Sequence, residues 1–123
     1  MSAQTPDDVN RILIESINNG DVETALALYE EDAVFVTAEG AATGRAAIRQ
    51  VIEAFIGLKP QLTMEAKETV QSGDTAMTRG VWKLHGTDPD GNALEMSGRS
   101  VEVVRRQADG SWLFTIDHPN GAD

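Results

Sequence analysis

The sequence predicts an α+β domain, with helices gathered on one face of an antiparallel sheet. Three observations carry this. Apolar residues recur at helical spacing almost only before residue 61. From Gln61 onward they alternate, as strands do, and turn residues separate the alternating runs. The 123 residues are 41% hydrophobic and include no cysteine, which suits one domain whose core needs no disulfide staples.

The elements follow in order. Thr5-Pro6-Asp7-Asp8 reads as a helix start: a cap, a proline at the first helical position, and acids at the positive end of the dipole. Val9, Ile12, Leu13 and Ile17 form its apolar face, and Asn18-Asn19-Gly20 ends it. Asp21 caps a second helix, whose buried face is read as Val22, Ala25, Leu26 and Tyr29. "DAVFVTAEG" is a short β-rich run closed by a turn at Glu39-Gly40. A third helix begins near Gly44, buries Ile48, Val51, Ile52 and Phe55, and stops at Gly57 and Pro60. Four strands come next, in "QLTMEAKETVQ", "TAMTRGVWKLHG", "ALEMSGRSVEVVRR" and "SWLFTID", with "TDPDGN" and "QADG" as hairpin loops.

Charge and composition exclude several classes. Twenty acids against ten bases give a net charge of −10, which repels phosphate backbones and anionic lipids. Nucleic acid and membrane partners are therefore not expected. The acids concentrate at the start: Asp7, Asp8, Glu15, Asp21, Glu23, Glu30, Glu31, Asp32 and Glu39 face one base, Arg11, and read as a solvated helical surface. "MSAQTPDDV" has neither a basic leader nor an apolar run, so no signal peptide is expected. The missing cysteines are compatible with a reducing cytoplasm. His85 and His118 stand alone, with no second ligand at metal spacing, and no glycine-rich phosphate loop occurs. No metal or cofactor is expected.

"GDVETALALYEEDAVFV" (20–36), "GRAAI" (44–48) and "RRQADGSWLFTIDHP" (105–119) resemble the nuclear transport factor 2-like superfamily, also called SnoaL-like or ketosteroid isomerase-like. The first is similar to that family's second helix running into its first strand, the second to the start of its third helix, and the third to its final hairpin. The resemblance implies a cystatin-like cone: a curved mixed or antiparallel sheet wraps three N-terminal helices, and a pocket opens between them. It also implies pairing of two copies through the outer sheet face. The superfamily hosts isomerases, dehydratases, epoxide hydrolases, cyclases and adaptors, so fold alone does not give activity.

Carried over residue by residue, the resemblance argues against a steroid isomerase. The base position holds Thr37 and the donor tyrosine position holds Leu13; only the second acidic donor is retained, near Glu102. An epoxide hydrolase arrangement finds Arg99 and Asp117, but Val101 stands where a second carboxylate belongs. The resemblance puts Thr115, Asp117 and Pro119 on the pocket side of the last strand and Trp112, Phe114 and Ile116 outside. Asp117 paired with Arg99 is then the leading constellation, with Glu102 as a third candidate catalytic group. Such a pair would keep Asp117 ionised, with a lowered pKa. The expected pocket lining is Trp82, Met96, Phe35, Thr37, Tyr29, Phe55 and His118.

Glu102 depends on the "QADG" turn. A two-residue turn centred on Asp109-Gly110 sets Glu102 opposite Asp117. A three-residue turn with Gly110 in the left-handed conformation sets Val101 there and puts Glu102 on the Trp112–Phe114–Ile116 face. Ala-Asp-Gly favours the latter, as a type I turn plus bulge. The function class that fits best is a small-molecule pocket, with cofactor-free acid/base turnover of an apolar metabolite bearing a carbonyl or hydroxyl. The alternative is a non-catalytic adaptor or oligomerisation module. The apolar residues of the last strands, left over after the helices cover one face, predict a homodimer through the outer face.

Overall fold

Thr5 and Asp8 start the chain's first helix by satisfying each other's free amides. The Asp8 amide donates to Thr5 Oγ1 at 3.3 Å, and the Thr5 amide donates to Asp8 Oδ2 at 3.2 Å. Such reciprocal capping stabilises a helix end by about 1 kcal/mol. The computed structural model describes residues 2–123. Its elements are α1 (Pro6–Asn18), α2 (Val22–Leu26), β1 (Tyr29–Thr37), β2 (Gly40–Thr43), α3 (Arg45–Gly57), β3 (Gln61–Ser72), β4 (Thr75–Thr87), β5 (Ala93–Arg106) and β6 (Trp112–His118). This is an α+β fold with three helices and a six-stranded sheet in the order β2-β1-β6-β5-β4-β3. The sheet is mixed: β1 runs parallel to β6, and every other pair is antiparallel.

Two local readings change. The second helix ends at Leu26, so Tyr29 is not on its face but opens β1. Leu28, Tyr29 and Phe114 bury together, and a strand lets Tyr29 stack on Phe114 with ring centroids 4.8 Å apart. The Glu39-Gly40 turn also leads into a short strand, β2, which pairs back on β1 before α3 begins.

One face of the sheet packs on the helices. Val9, Ile12, Leu13 and Ile17 of α1 and Ile48 and Ile52 of α3 meet Trp82, Leu84, Val104, Trp112 and Phe114. Trp112 and Phe114 therefore lie inside, against the expectation of an outer face, and Ile116 alone of that trio turns outward.

The reason is one extra residue. The "QADG" loop forms the three-residue turn that its sequence favours: the Gln107 amide donates to Ser111 O at 2.7 Å, and Gly110 has φ 87°. From there Arg106 faces Trp112 and Val104 faces Phe114. The next pair is Val103 with Ile116, so Thr115 has no partner on β5. This is a β-bulge, and it inverts the alternation of everything after it. Glu102, not Val101, ends up opposite Asp117. Glu30 braces the bulge: Thr115 Oγ1 donates to Glu30 Oε1 at 3.0 Å, and Arg105 holds the same carboxylate through two hydrogen bonds of 2.8 and 2.7 Å.

If Phe114 is an inner-face residue, Phe114→Ala leaves a cavity in the core and costs about 3–5 kcal/mol in urea unfolding. A loss below about 1 kcal/mol would put that side chain on the solvent face.

Candidate functional site

Glu102 and Asp117 face each other across β5 and β6 on the helix side of the sheet. They are 2% and 4% exposed. Directly opposite residues of an antiparallel pair have Cβ atoms about 4.5–5.5 Å apart, so the two carboxyl groups share one small volume. Each is held by neutral donors. The Tyr29 hydroxyl donates to Asp117 Oδ2 at 2.6 Å. Thr78 Oγ1 donates to Glu102 Oε1 at 2.6 Å, and Asn10 Nδ2 donates to the same oxygen at 3.1 Å.

Both acids close one end of a cavity between α1, α3 and the sheet. The room it leaves for the centres of water-sized spheres is ≈ 70 Å³. Leu13, Ile17, Phe35, Ile52, Phe55 and Trp82 form apolar walls, and Asn10, Tyr29 and Ser100 join the carboxylates at the polar end. No Lys, Arg or His lies among the lining residues. Trp82 is fixed by its ring N–H, which donates to Pro119 O at 2.7 Å. Tyr29 is fixed at its backbone: Arg45 Nε and Nη2 both donate to its carbonyl, at 2.9 and 2.6 Å.

This environment decides protonation. Burial, then the charge of Glu102, pushes Asp117 up to about 7, against the Tyr29 hydrogen bond that pulls it down. Burial also raises Glu102, opposed by hydrogen bonds from Ser100, Thr78 and Asn10. Tyr29 is driven well above the usual phenol range by burial and by the neighbouring Asp117, so it stays a donor. Two such close acids titrate as a pair, and both shifts favour a retained proton, so the pair can offer an acid and a base at once.

The expected Arg99–Asp117 pair does not form. Arg99 lies on the opposite sheet face, where its Nε donates to Asp123 Oδ1 at 3.3 Å. The bulge separates them: it turned Asp117 inward, while the unbroken alternation of β5 keeps Arg99 out with Val101. Asp117 is consequently raised, not lowered. Of the expected lining, Trp82, Phe35, Tyr29 and Phe55 line the cavity. Thr37 ends β1, where its hydroxyl donates to Gly40 O at 2.8 Å, and it does not line the cavity. Met96 pairs with Leu84 across β4 and β5, yet it is 37% exposed and does not line the cavity. His118 pairs with Val101 and faces away. Among the described residues no three side chains of metal-ligating type converge.

Asn10, Thr78 and Ser100 were not singled out from the sequence. A signal existed for two of them. Asn10 shares a helical face with Leu13, Ile14 and Ile17, and Thr78 interrupts the inward run Ala76, Trp82, Leu84. A polar residue on an apolar face marks a buried polar group that needs a partner.

The model of the SnoaL-like domain family matches residues 10–114. The chain belongs to the SnoaL-like domain family. The SnoaL-like domain is similar in structure to a ketosteroid isomerase-like protein from Erwinia carotovora atroseptica, with TM-score 0.81 and 22% identity over 91% of this chain and 89% of that one. A nuclear transport factor 2-like protein from Salmonella enterica serovar Typhimurium gives TM-score 0.81 at 18% identity, covering 94% and 89%. A protein from Novosphingobium aromaticivorans, described as NTF2-like with a cystatin-like fold, gives 0.78 at 20% identity, covering 94% and 79%. At these identities the likeness shows the fold. No curated protein matches the sequence. Among the described residues no helix is long and apolar enough to cross a membrane.

The raised pKa of Asp117 has a signed consequence. Asp117 binds its proton more tightly folded than unfolded, so its favourable contribution is complete below its ordinary pKa of 3.8 and is lost as pH rises to about 7. Asp117→Asn removes that loss. Urea unfolding should show the variant gaining stability relative to the parent between pH 4 and pH 7, with the gain level above that. A relative loss over the same window would mean that a cation holds Asp117 ionised.

Proposed function

We propose that this SnoaL-like domain binds a small apolar metabolite bearing a carbonyl or hydroxyl and turns it over by cofactor-free acid/base chemistry. One observation carries the reading: two carboxylates opposed at the closed end of an apolar cavity with no cation beside them. A purely structural role gives no reason to bury such a pair, which is costly unless charge is neutralised. Asp117 is the proton-bearing partner, and its proton goes to the substrate oxygen as that oxygen gains negative charge. Glu102 takes a proton from the neighbouring carbon or hydroxyl. Tyr29 steadies the ionised form of Asp117 after its proton has left. Thr37 and Leu13 occupy the positions where a steroid isomerase keeps its base and tyrosine, so the chemistry is assigned to the Glu102–Asp117 corner. An adaptor role would use only the outer face and leaves the pair without a purpose.

The test uses cyclohexanone in deuterated buffer and follows exchange of the hydrogens beside its carbonyl by NMR. The dialysed protein should accelerate exchange over buffer, and Asp117→Asn and Glu102→Gln should each reduce the acceleration by about 10²–10⁴. No acceleration, together with no shift of the Trp82 and Phe55 signals, would end both the turnover and the binding reading.

We also propose that the domain is a homodimer through the outer sheet face, consistent with a cytoplasmic, cysteine-free protein. Val70, Met77, Val103 and Ile116 are cross-strand neighbours in one row spanning β3 to β6. Three of them, Val70, Met77 and Ile116, are 49%, 38% and 39% exposed. Such a stripe favours a self-complementary partner. Sedimentation at micromolar concentration should give twice the 13.2 kDa chain mass, and Met77→Lys should return it to one. A parent that sediments as the single chain would exclude the dimer.

A further inference from the structure

We propose that the molecule bound at Glu102 and Asp117 carries a basic nitrogen, and that its ammonium form sits between the two carboxylates. This rests on reading the cavity as a ligand site and names the charge class of the ligand. Three observations support it.

The first is an unmet need for positive charge. The donors reaching the pair are the Tyr29 hydroxyl, the Thr78 hydroxyl and the Asn10 amide, all neutral. No Lys, Arg or His lines the cavity. Arg99, the cation nearest in sequence register, is on the other face with Asp123. A carboxylate pair out of water is stabilised by a proton or by a cation, and only the ligand is left to bring the latter.

The second is a free acceptor. Asp117 lines the cavity and is 4% exposed, yet only its Oδ2 is engaged, by Tyr29. Its Oδ1 has no hydrogen-bond partner among the described residues and is not sealed from the cavity. An ammonium offers three donors and no acceptor, which suits a site made of acceptors. A carboxylate or phosphate ligand would meet like charge there.

The third is the wall. Phe35, Phe55, Trp82 and Tyr29 line the same space. Aromatic faces attract a desolvated ammonium and pack against its apolar body. The chain's net charge of −10 also raises the local concentration of cations.

The chemistry is compatible with acid/base turnover. A bound ammonium lets both carboxylates ionise, and the proton the pair retained leaves to solvent. In that complex the proton donor to the substrate oxygen is the ligand's own ammonium N–H in place of Asp117, and Glu102 keeps its role as the base.

Three probes of one shape decide the matter: phenethylamine, phenethyl alcohol and phenylacetate, titrated calorimetrically near neutral pH. The amine should bind at least about tenfold more tightly than the alcohol, the anion should bind least, and Glu102→Gln should remove about tenfold of the amine's affinity. Asp117→Asn serves as a second variant, with folding of both checked by thermal unfolding. The amine's binding heat should also change between buffers of different ionisation enthalpy, because a proton is released. An alcohol that binds as well as the amine, or an amine indifferent to both substitutions, overturns the proposal and leaves the cavity as a neutral-ligand site. Binding by none of the three overturns it as well; ketone exchange or ligand shifts at Trp82 and Phe55 would then still sustain the cavity reading alone.

Discussion

One unpaired residue in the last strand governs this molecule. Without the bulge at Thr115, a strict alternation would put Trp112, Phe114 and Ile116 on one face and Asp117 on the other. With it, the strand uses its first half to fill the core with Trp112 and Phe114 and its second half to bring a carboxylate into the same side. The bulge is held from outside by Glu30, which ties Thr115, Arg105 and Gln107 together. The β1–β6 pairing shifts in register across the same region, between Tyr29 and Val34, so both strands adjust there together.

The energetic consequence is a compromise between packing and charge. The inner face is largely apolar and well filled near the loop end of β6, where Tyr29, Phe114 and Val104 are fully buried. Toward the other end the filling stops, and the space is left to Asn10, Ser100, Glu102 and Asp117. Removing carboxylates from water is unfavourable, and the fold offsets this only with neutral hydrogen bonds and a retained proton. Stability given up at one spot for chemistry at that spot is how pKa values become matched to acid/base work. Tyr29 links the two regions, since its ring belongs to the core and its hydroxyl to Asp117.

Much of the fold was legible before any coordinates. The capping of α1 by Thr5, the stop at Gly20, the run of three helices, the strand order from Gln61 and the three-residue "QADG" turn all follow from local rules. Four cavity residues, Phe35, Tyr29, Phe55 and Trp82, and both carboxylates were also within reach, because a resemblance to the superfamily points at them. Arg99 was misplaced because where a side chain points depends on register, and register was counted from a turn without the bulge; His118 follows inward Asp117 and so faces the other way, while Thr37 and Met96 lie on β1 and β5, outside the bulge, and fall outside the cavity's reach. Asn10 and Thr78 went unread although each interrupts an apolar face.

The sequence by itself determined the three helices and the four strands from Gln61, the family, the acidic character and the lack of thiol chemistry. These rest on periodicity, capping residues and composition, which act over a few neighbours. Tertiary structure alone decided which face Asp117 occupies, that its partners are Tyr29 and Glu102 instead of Arg99, and that its proton is held to about pH 7. A bulge is set by how β6 fits between β5 and β1, through contacts such as Thr115 with Glu30, 85 residues apart. No local rule along the chain contains that fit, and a one-residue slip in it exchanges the inside of the strand for the outside.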